Sequence, residues 1–273
     1  ACGGSHYWAR ELGRLGHTVR LMAPQFVKPY VKSNKNDAAD AEAICEAVTR
    51  PNMRFVPAKT VDQQSALSQH RVRQSLVGAR TAQANMIRGL LMEFGIVIPQ
   101  GIRAVHVRVP EILEDAENGL DPRMQSLLRG MHEHLKALDE KVERLEAEIA
   151  RQAREDAGAA RLQTIPGIGP LTATALVATL GDAGNFDSGR NLSAWLGLVP
   201  RQHSTGGKPT LLGIGKRGDR YLRTLLIHGA RAVIRNVEKR QDALGLWIRK
   251  LLSRKNANAV AVALANKNAR VAW

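Results

Sequence analysis

The chain has 273 residues, 44% of them apolar, a length and composition suited to two domains with their own cores. Aromatics make up only 4%, which argues against stacking on bases as the main mode of binding, and a formal charge of +15 with a pI near 10.5 points to a polyanionic partner, nucleic acid above all. No apolar run is long enough to cross a membrane and no signal peptide is read. Cys2 and Cys45 have no metal-ligand cluster around them, which suits a reducing, intracellular compartment.

Ser5 can cap a helix running to about Leu15, with Gly16 as its stop. Thr18–Met22 reads as a short strand closed by Pro24, and Arg54–Val56 as a second extended piece. Between them lies Asn36-Asp37-Ala38-Ala39-Asp40-Ala41-Glu42-Ala43-Ile44, the start of a helix for which Ser33, Asn34 and Asn36 are all possible N-caps. Asp37 and Asp40, three apart, share one helical face, and the small Ala38 and Ala39 let that face approach another element or a metal ion. Mg²⁺ suits such a pair, because it takes one or two carboxylates and leaves room for phosphate oxygens. The same acids also complement the macrodipole of a first helical turn. The order helix, strand, helix implies a parallel α/β sheet.

From Val61 to about Phe94 the pattern is helical; Gly95 to Pro110 reads as a loop. Asp121-Pro122 opens a second long helix. Two heptad series run along it, Leu128, Leu135, Val142, Ile149 and Met124, Met131, Leu138, Leu145, a coiled-coil pattern that pairs either with the 61–94 helix or with a second copy of the chain. Residues 154–160 read as a small-residue linker, so the domain boundaries fall at 1–60, 61–156 and 161–273.

The last domain carries the charge: residues 201–273 hold 16 Lys+Arg against 3 Asp+Glu, +13 of the total +15. It contains two constellations. Ile165-Pro166-Gly167-Ile168-Gly169-Pro170 is similar to the hairpin of a helix-hairpin-helix motif, in which glycines let the backbone approach a phosphate and the next helix offers its N-terminal N–H groups. A tight turn between two core helices has the same pattern. The second is a Gly-rich loop, Leu198-Val-Pro-Arg-Gln-His-Ser-Thr-Gly-Gly-Lys-Pro-Thr210, with His203, Ser204 and Thr205 at its centre and Arg201, Lys208, Lys216, Arg217, Arg220 and Arg223 around it. A hydroxyl among phosphate-binding cations can attack a phosphodiester, with His203 orienting or deprotonating it. A phosphate-binding loop with no covalent role fits the same residues.

Taken together, Ala-Cys-Gly-Gly-Ser-His-Tyr-Trp-Ala-Arg-Glu-Leu, Lys-Asn-Asp-Ala-Ala-Asp-Ala-Glu-Ala-Ile, Pro-Gly-Ile-Gly-Pro and Gly-Leu-Val-Pro-Arg-Gln-His-Ser-Thr-Gly-Gly-Lys resemble, in this order along essentially the whole chain, the DEDD transposases of the insertion sequence 110 family, 1111 subgroup. The resemblance implies a fold class of α/β plus α: a partial RuvC-like (RNase H fold) domain, a long coiled-coil insertion and a mainly helical C-terminal transposase domain. It implies RNA-guided DNA recombination in the bacterial cytoplasm, associated with the nucleoid. The partners are element-end and target DNA, a structured guide RNA and further copies of the chain through the coiled coil; no membrane is involved.

Asp37 and Asp40 match the last two acids of a Mg²⁺-binding set. Ser204 matches the serine that links covalently to DNA, with Thr205, the neighbour of Gly206, as the alternative. Gly167, Gly169, Arg201, His203, Lys208, Lys216, Arg217, Arg220 and Arg223 are assigned to nucleic-acid contact. Metal and serine then lie in different domains and the active site is composite. The set's first Asp and its Glu would precede Ala1. With Ala1 in place of Met and no helix-ending signal in Val262–Trp273, both ends read as cut, and the chain as written is expected to hold half a metal site and to be inactive. Two other classes fit: a metal-dependent junction nuclease in which Ser204 only contacts phosphate, and a non-catalytic DNA- or RNA-binding remnant.

Overall fold

The computed structural model describes residues 3–32 and 36–273; Cys2 and the alternative caps Ser33 and Asn34 lie outside the described residues. The chain forms two compact units, 1–64 and 65–273. It is mostly helical with two small sheets, compatible with α/β plus α.

In the first unit, α1 (Ser5–Arg14) starts behind Gly4 rather than behind a Ser5 cap: Gly4 takes φ 78°, and no side chain caps the helix. Its end is as expected. Gly16 at φ 88° donates to Gly13 O and His17 donates to Leu12 O, the paired bonds of a Schellman stop. Strands β1 (Leu21–Met22) and β2 (Phe55–Val56) lie where extended pieces are expected, but they are two residues each and pair antiparallel, Leu21 with Val56, not parallel. Between them come α2 (Pro24–Val27) and α3 (Asp37–Val48). Asn36 caps α3, its side chain accepting from Ala39 N at 2.7 Å, and Ala43 and Ala47 are buried along one face.

The second unit is built on two long helices, α4 (Val61–Met92, most of it in this unit) and α6 (Pro122–Glu155). Arg73 pairs with Glu146, Arg80 with Asp139 at 3.0 Å, and Gln83 donates to Met131 O at 3.0 Å, so the partners descend α6 as they climb α4 and the helices run antiparallel. Asp121 caps α6, with Pro122 at the first position as expected. Leu128, Leu135, Leu138, Val142 and Ile149 of the heptads are buried inside the chain.

Residues 102–110, expected as part of a loop, lie in α5 (Ile102–Glu114) instead. Val105, Val109 and Ile112 fall on one helical face and fill a core with Ile87, Leu91, Met124 and Leu128; that burial outweighs the interior Pro110, whose missing N–H leaves one turn unbonded. His106 of α5 joins Asp139 at 2.6 Å and the buried His132 at 3.4 Å.

The segment expected as a linker is also helical. Asp156 caps α7 (Ala157–Leu162), which leads to α8 (Pro170–Leu180) and α9 (Gly189–Trp195). Strands β3 (Pro200–Thr205) and β4 (Lys208–Ile214) follow, then α10 (Arg220–Arg235), α11 (Ala243–Leu252) and α12 (Ala257–Val271). α8 is buried nearly all round; α10 packs beside it, and α12 packs on α10 and α9, over a core that includes Leu176, Leu192, Leu222, Leu226 and Leu264. His70 of α4 anchors the long helices to this core, its two ring nitrogens 3.0 Å from Tyr221 Oη of α10 and 3.0 Å from Thr174 Oγ1 of α8.

Candidate nucleic-acid interface and serine hairpin

The Gly-rich segment is a β-hairpin, not a loop. Gly206 and Gly207 take φ 56° and 78°, left-handed values that suit a two-residue turn matching the twist of the flanking strands. Two glycines between runs of Gln, His, Ser and Thr carry that signal in the sequence. Thr205 pairs with Lys208, Ser204 with Pro209, His203 with Thr210 and Gln202 with Leu211, followed by a register shift near Pro200. Every residue from Pro200 to Gly213 is exposed.

Side chains alternate across a strand. Gln202 and Ser204 therefore share one face, and His203 and Thr205 the other. The side-chain amide of Gln202 donates to Ser204 Oγ at 2.7 Å. Gln202, which strand spacing of two points to, is therefore the side chain bonded to Ser204 Oγ.

The base of the hairpin is fixed. Gly215 donates to Val199 O at 2.8 Å and Lys216 to Gly197 O at 3.1 Å. A cleft of about 330 Å³ opens there, lined by Ala194, Gly197, Arg201, Gln202, His203 and Arg217. Lys216 takes φ 56°, a left-handed conformation unusual for a side-chain-bearing residue. An added Cβ on Gly218 would overlap the carbonyl oxygen of Trp195, so this turn is pressed against the end of α9.

Lys208, Lys216, Arg217 and Arg220 all face solvent. Arg223 does not. It is buried at 8% exposure, and its Nη1 donates to Leu196 O at 2.9 Å and to Arg217 O at 2.7 Å. Arg223 shares the inward face of α10 with the buried Leu226 and Ala230, three and seven residues on, and it ties the free carbonyls at the end of α9 to the basic turn. Asp219 and Asp242, two of the three acids beyond residue 200, cap α10 and α11, and Asp242 also pairs with Arg240; three acids against 16 cations leave most of the cations unopposed.

In the Pro-Gly-Ile-Gly-Pro turn the two glycines have different fates. Gly167, at φ 93°, packs against the backbone of Gly229 in α10, and Asn268 donates to Pro166 O at 2.8 Å. Its close backbone approach is to α10. Gly169 is exposed with open space around its Cα, at the N-cap of α8, where no side chain caps the helix.

Within the first unit, Asp37 and Asp40 open α3 as expected, Asp37 exposed and Asp40 half-buried. The ion pairs around the helix engage Glu42 and Glu46 with Lys32 and Arg50 instead. Two carboxylates one turn apart, with no ion pair among the described residues, fit the donor set of a Mg²⁺ ion that keeps waters and phosphate oxygens as its other ligands. Among the described residues no group of three or more His, Cys, Asp or Glu converges on a point.

A compact helical unit that presents a hydroxyl-bearing hairpin among unopposed cations is a nucleic-acid-handling domain by its chemistry, and the comparisons agree. The family described as "Transposase IS116/IS110/IS902 family" matches residues 159–244, the segment holding the Gly167 turn, the hairpin and α10. A "Probable family 20 transposase" of Pseudomonas aeruginosa is 56% identical over 274 residues, covering 100% of this chain and 81% of the relative. The "Transposase for insertion sequence element IS1328" of Yersinia enterocolitica is 49% identical, covering 100% and 81%. The "Transposase for insertion sequence element IS1111A" of Coxiella burnetii is 47% identical, covering 100% and 75%. The chain belongs to the IS110 family of insertion-sequence transposases. Among the described residues no helix is long and apolar enough to cross a membrane.

Proposed function

We propose that this protein is a DNA transposase that exchanges strands through a covalent bond to Ser204. The observation that carries the reading is the exposed Ser204 hydroxyl at the end of a braced hairpin, with Lys208, Lys216, Arg217 and Arg220 exposed nearby in sequence. Ser204 Oγ forms a bond to the scissile phosphorus, the bond from phosphorus to one sugar oxygen breaks, and the serine proton ends on that leaving oxygen. The phosphoserine ester keeps the bond energy until a second sugar hydroxyl attacks phosphorus and regenerates the serine. The cations hold the phosphates in place and offset charge that develops on the non-bridging oxygens.

Asp37 and Asp40 are the residues that would hold Mg²⁺, which would supply positive charge at a phosphate oxygen. Two carboxylates leave most of the metal's coordination positions to water and to phosphate oxygens of the DNA. We assign residues 1–60 to part of a RuvC-like domain, the Gly167–Gly169 turn to a helix-hairpin-helix-like element, and target choice to pairing with a structured RNA; the similarity to the family supports all three. The long helices are assigned to assembly with further copies. Met86, Leu90 and Leu127, left exposed on them, support that.

The test is peptide mapping. Protein incubated with element-end DNA, the flanking transcript and Mg²⁺ is denatured, digested with nuclease and protease, and analysed by mass spectrometry. A nucleotide on the peptide containing Ser204 supports the reading; cleaved DNA with every hairpin peptide unmodified refutes it.

A further inference from the structure

We propose that Gln202 is the positioning residue of the Ser204 nucleophile and selects Ser204 over Thr205; the proposal rests on the serine reading above. The hairpin register sets the geometry. Gln202 and Ser204 share a face with their cross-strand neighbours Leu211 and Pro209, neither of which brings a polar side-chain group. The Gln202 amide nitrogen lies 2.7 Å from Ser204 Oγ. His203, opposite Thr210, and Thr205, opposite Lys208, project from the other face, so neither His203 nor Lys208 is directed toward the serine oxygen.

A donated hydrogen bond at Oγ has three consequences. It fixes the hydroxyl rotor, which otherwise samples three staggered positions. It occupies one lone pair, leaving the other for phosphorus and the O–H free to point away. It also favours the oxygen as its charge grows, because a donor aimed at a developing anion stabilises it more than the neutral group. An amide does not titrate near neutrality, so Gln202 cannot take the proton. The serine proton therefore leaves to solvent or to a phosphate oxygen and ends on the departing sugar oxygen. Among the described residues no hydrogen bond is formed at Thr205 Oγ1, although His203 and Lys208 share its face, which gives a physical reason for two adjacent hydroxyls to differ.

The experiment measures the rate of covalent adduct formation on element-end DNA between pH 4.5 and 8, with the DNA half-saturation concentration alongside, for wild type, Gln202→Ala, Gln202→Glu, His203→Ala and Ser204→Ala. Gln202→Ala lowers the rate at saturating DNA by about tenfold, the factor one ordinary hydrogen bond supports, with half-saturation unchanged. Gln202→Glu is slow at neutral pH, where a carboxylate only accepts, and recovers as the pH falls toward about 4.5 and the acid donates as the amide did. His203→Ala shifts half-saturation without removing a limb of the pH profile.

Wild-type rate in Gln202→Ala, or a lost limb in His203→Ala, overturns the proposal. Because adduct that survives Ser204→Ala would instead remove the nucleophile reading, the two failures are distinct. A second measurement is independent of turnover: the ¹⁵N side-chain amide signal of Gln202 moves in Ser204→Ala and stays in Thr205→Ala, and the reverse pattern overturns the assignment.

Discussion

Gly167 and Gly229 meet backbone to backbone: a Cβ built on Gly229 would overlap the carbonyl oxygen of Gly167, and one built on Gly167 would sit 3.0 Å from the carbonyl oxygen of Gly229. This contact seats α10 against the turn before α8. Gly229→Ala would gain up to about 1 kcal/mol of helix propensity but force a backbone shift costing about 3 kcal/mol, so the second effect wins. Urea unfolding should show a clear loss of stability. Gly130→Ala in α6, with nothing within 4 Å of the added methyl, should show a small gain.

Arg223 and Arg220 are predicted to separate stability from binding. Arg223→Met leaves the carbonyls of Leu196 and Arg217 without their shared donor and should cost about 3 kcal/mol of stability. Arg220→Ala, at the exposed first residue of the same helix, should stay within about 0.5 kcal/mol and instead lower the salt dependence of nucleic-acid binding by about one unit of slope. Denaturant midpoints and binding isotherms at several salt concentrations check both.

Burial holds the His70 imidazole neutral, with the Arg73 cation adding to the effect, and lowers its pKa from 6.5 to about 4. Unfolded, the ring binds a proton below about 6.5 that the folded ring refuses until about 4. Stability from this group is therefore full above pH 6.5 and falls across the window from 6.5 to 4, by at most about 3 kcal/mol. His132, lowered by burial and then by Lys136 and His106, adds in the same direction. Unfolding midpoints at pH 7.5 and 5 should differ more in wild type than in His70→Gln.

For the carboxylate pair, Asp37→Asn and Asp40→Asn should each raise the Mg²⁺ concentration needed for half-maximal adduct formation, while Glu42→Gln should not. Equal Mg²⁺ dependence in all three variants would separate α3 from metal binding.

Local chemistry made several of these elements readable in the sequence. Asn36, Asp121-Pro122 and Gly16 mark helix ends with side-chain or backbone bonds that involve only nearby residues, and the structure uses each one. The heptads gave a long apolar seam, but whether that seam pairs within the chain depends on partners some seventy residues away, Arg73 with Glu146 among them.

What stayed hidden was tertiary. α5 was masked by Pro110, because local propensity argues for a loop while burial of Val105, Val109 and Ile112 decides for a helix. Arg223 reads as one more surface cation until the end of α9 is seen to need a donor there. The Gly-rich stretch reads as a loop, whereas two left-handed glycines in succession close a two-residue hairpin turn. A loop reading gives Gln202 no relation to Ser204, since it is the strand that brings residues two apart onto one face.

The measurement that tests the account most directly is adduct trapping. The protein is incubated with element-end DNA, the flanking transcript and Mg²⁺, denatured, and resolved for DNA-linked protein beside Ser204→Ala and Thr205→Ala. A DNA-linked band in wild type and Thr205→Ala that vanishes in Ser204→Ala is the predicted result. Cleaved DNA with no linked protein in any lane would contradict the serine mechanism and leave a metal-dependent nuclease.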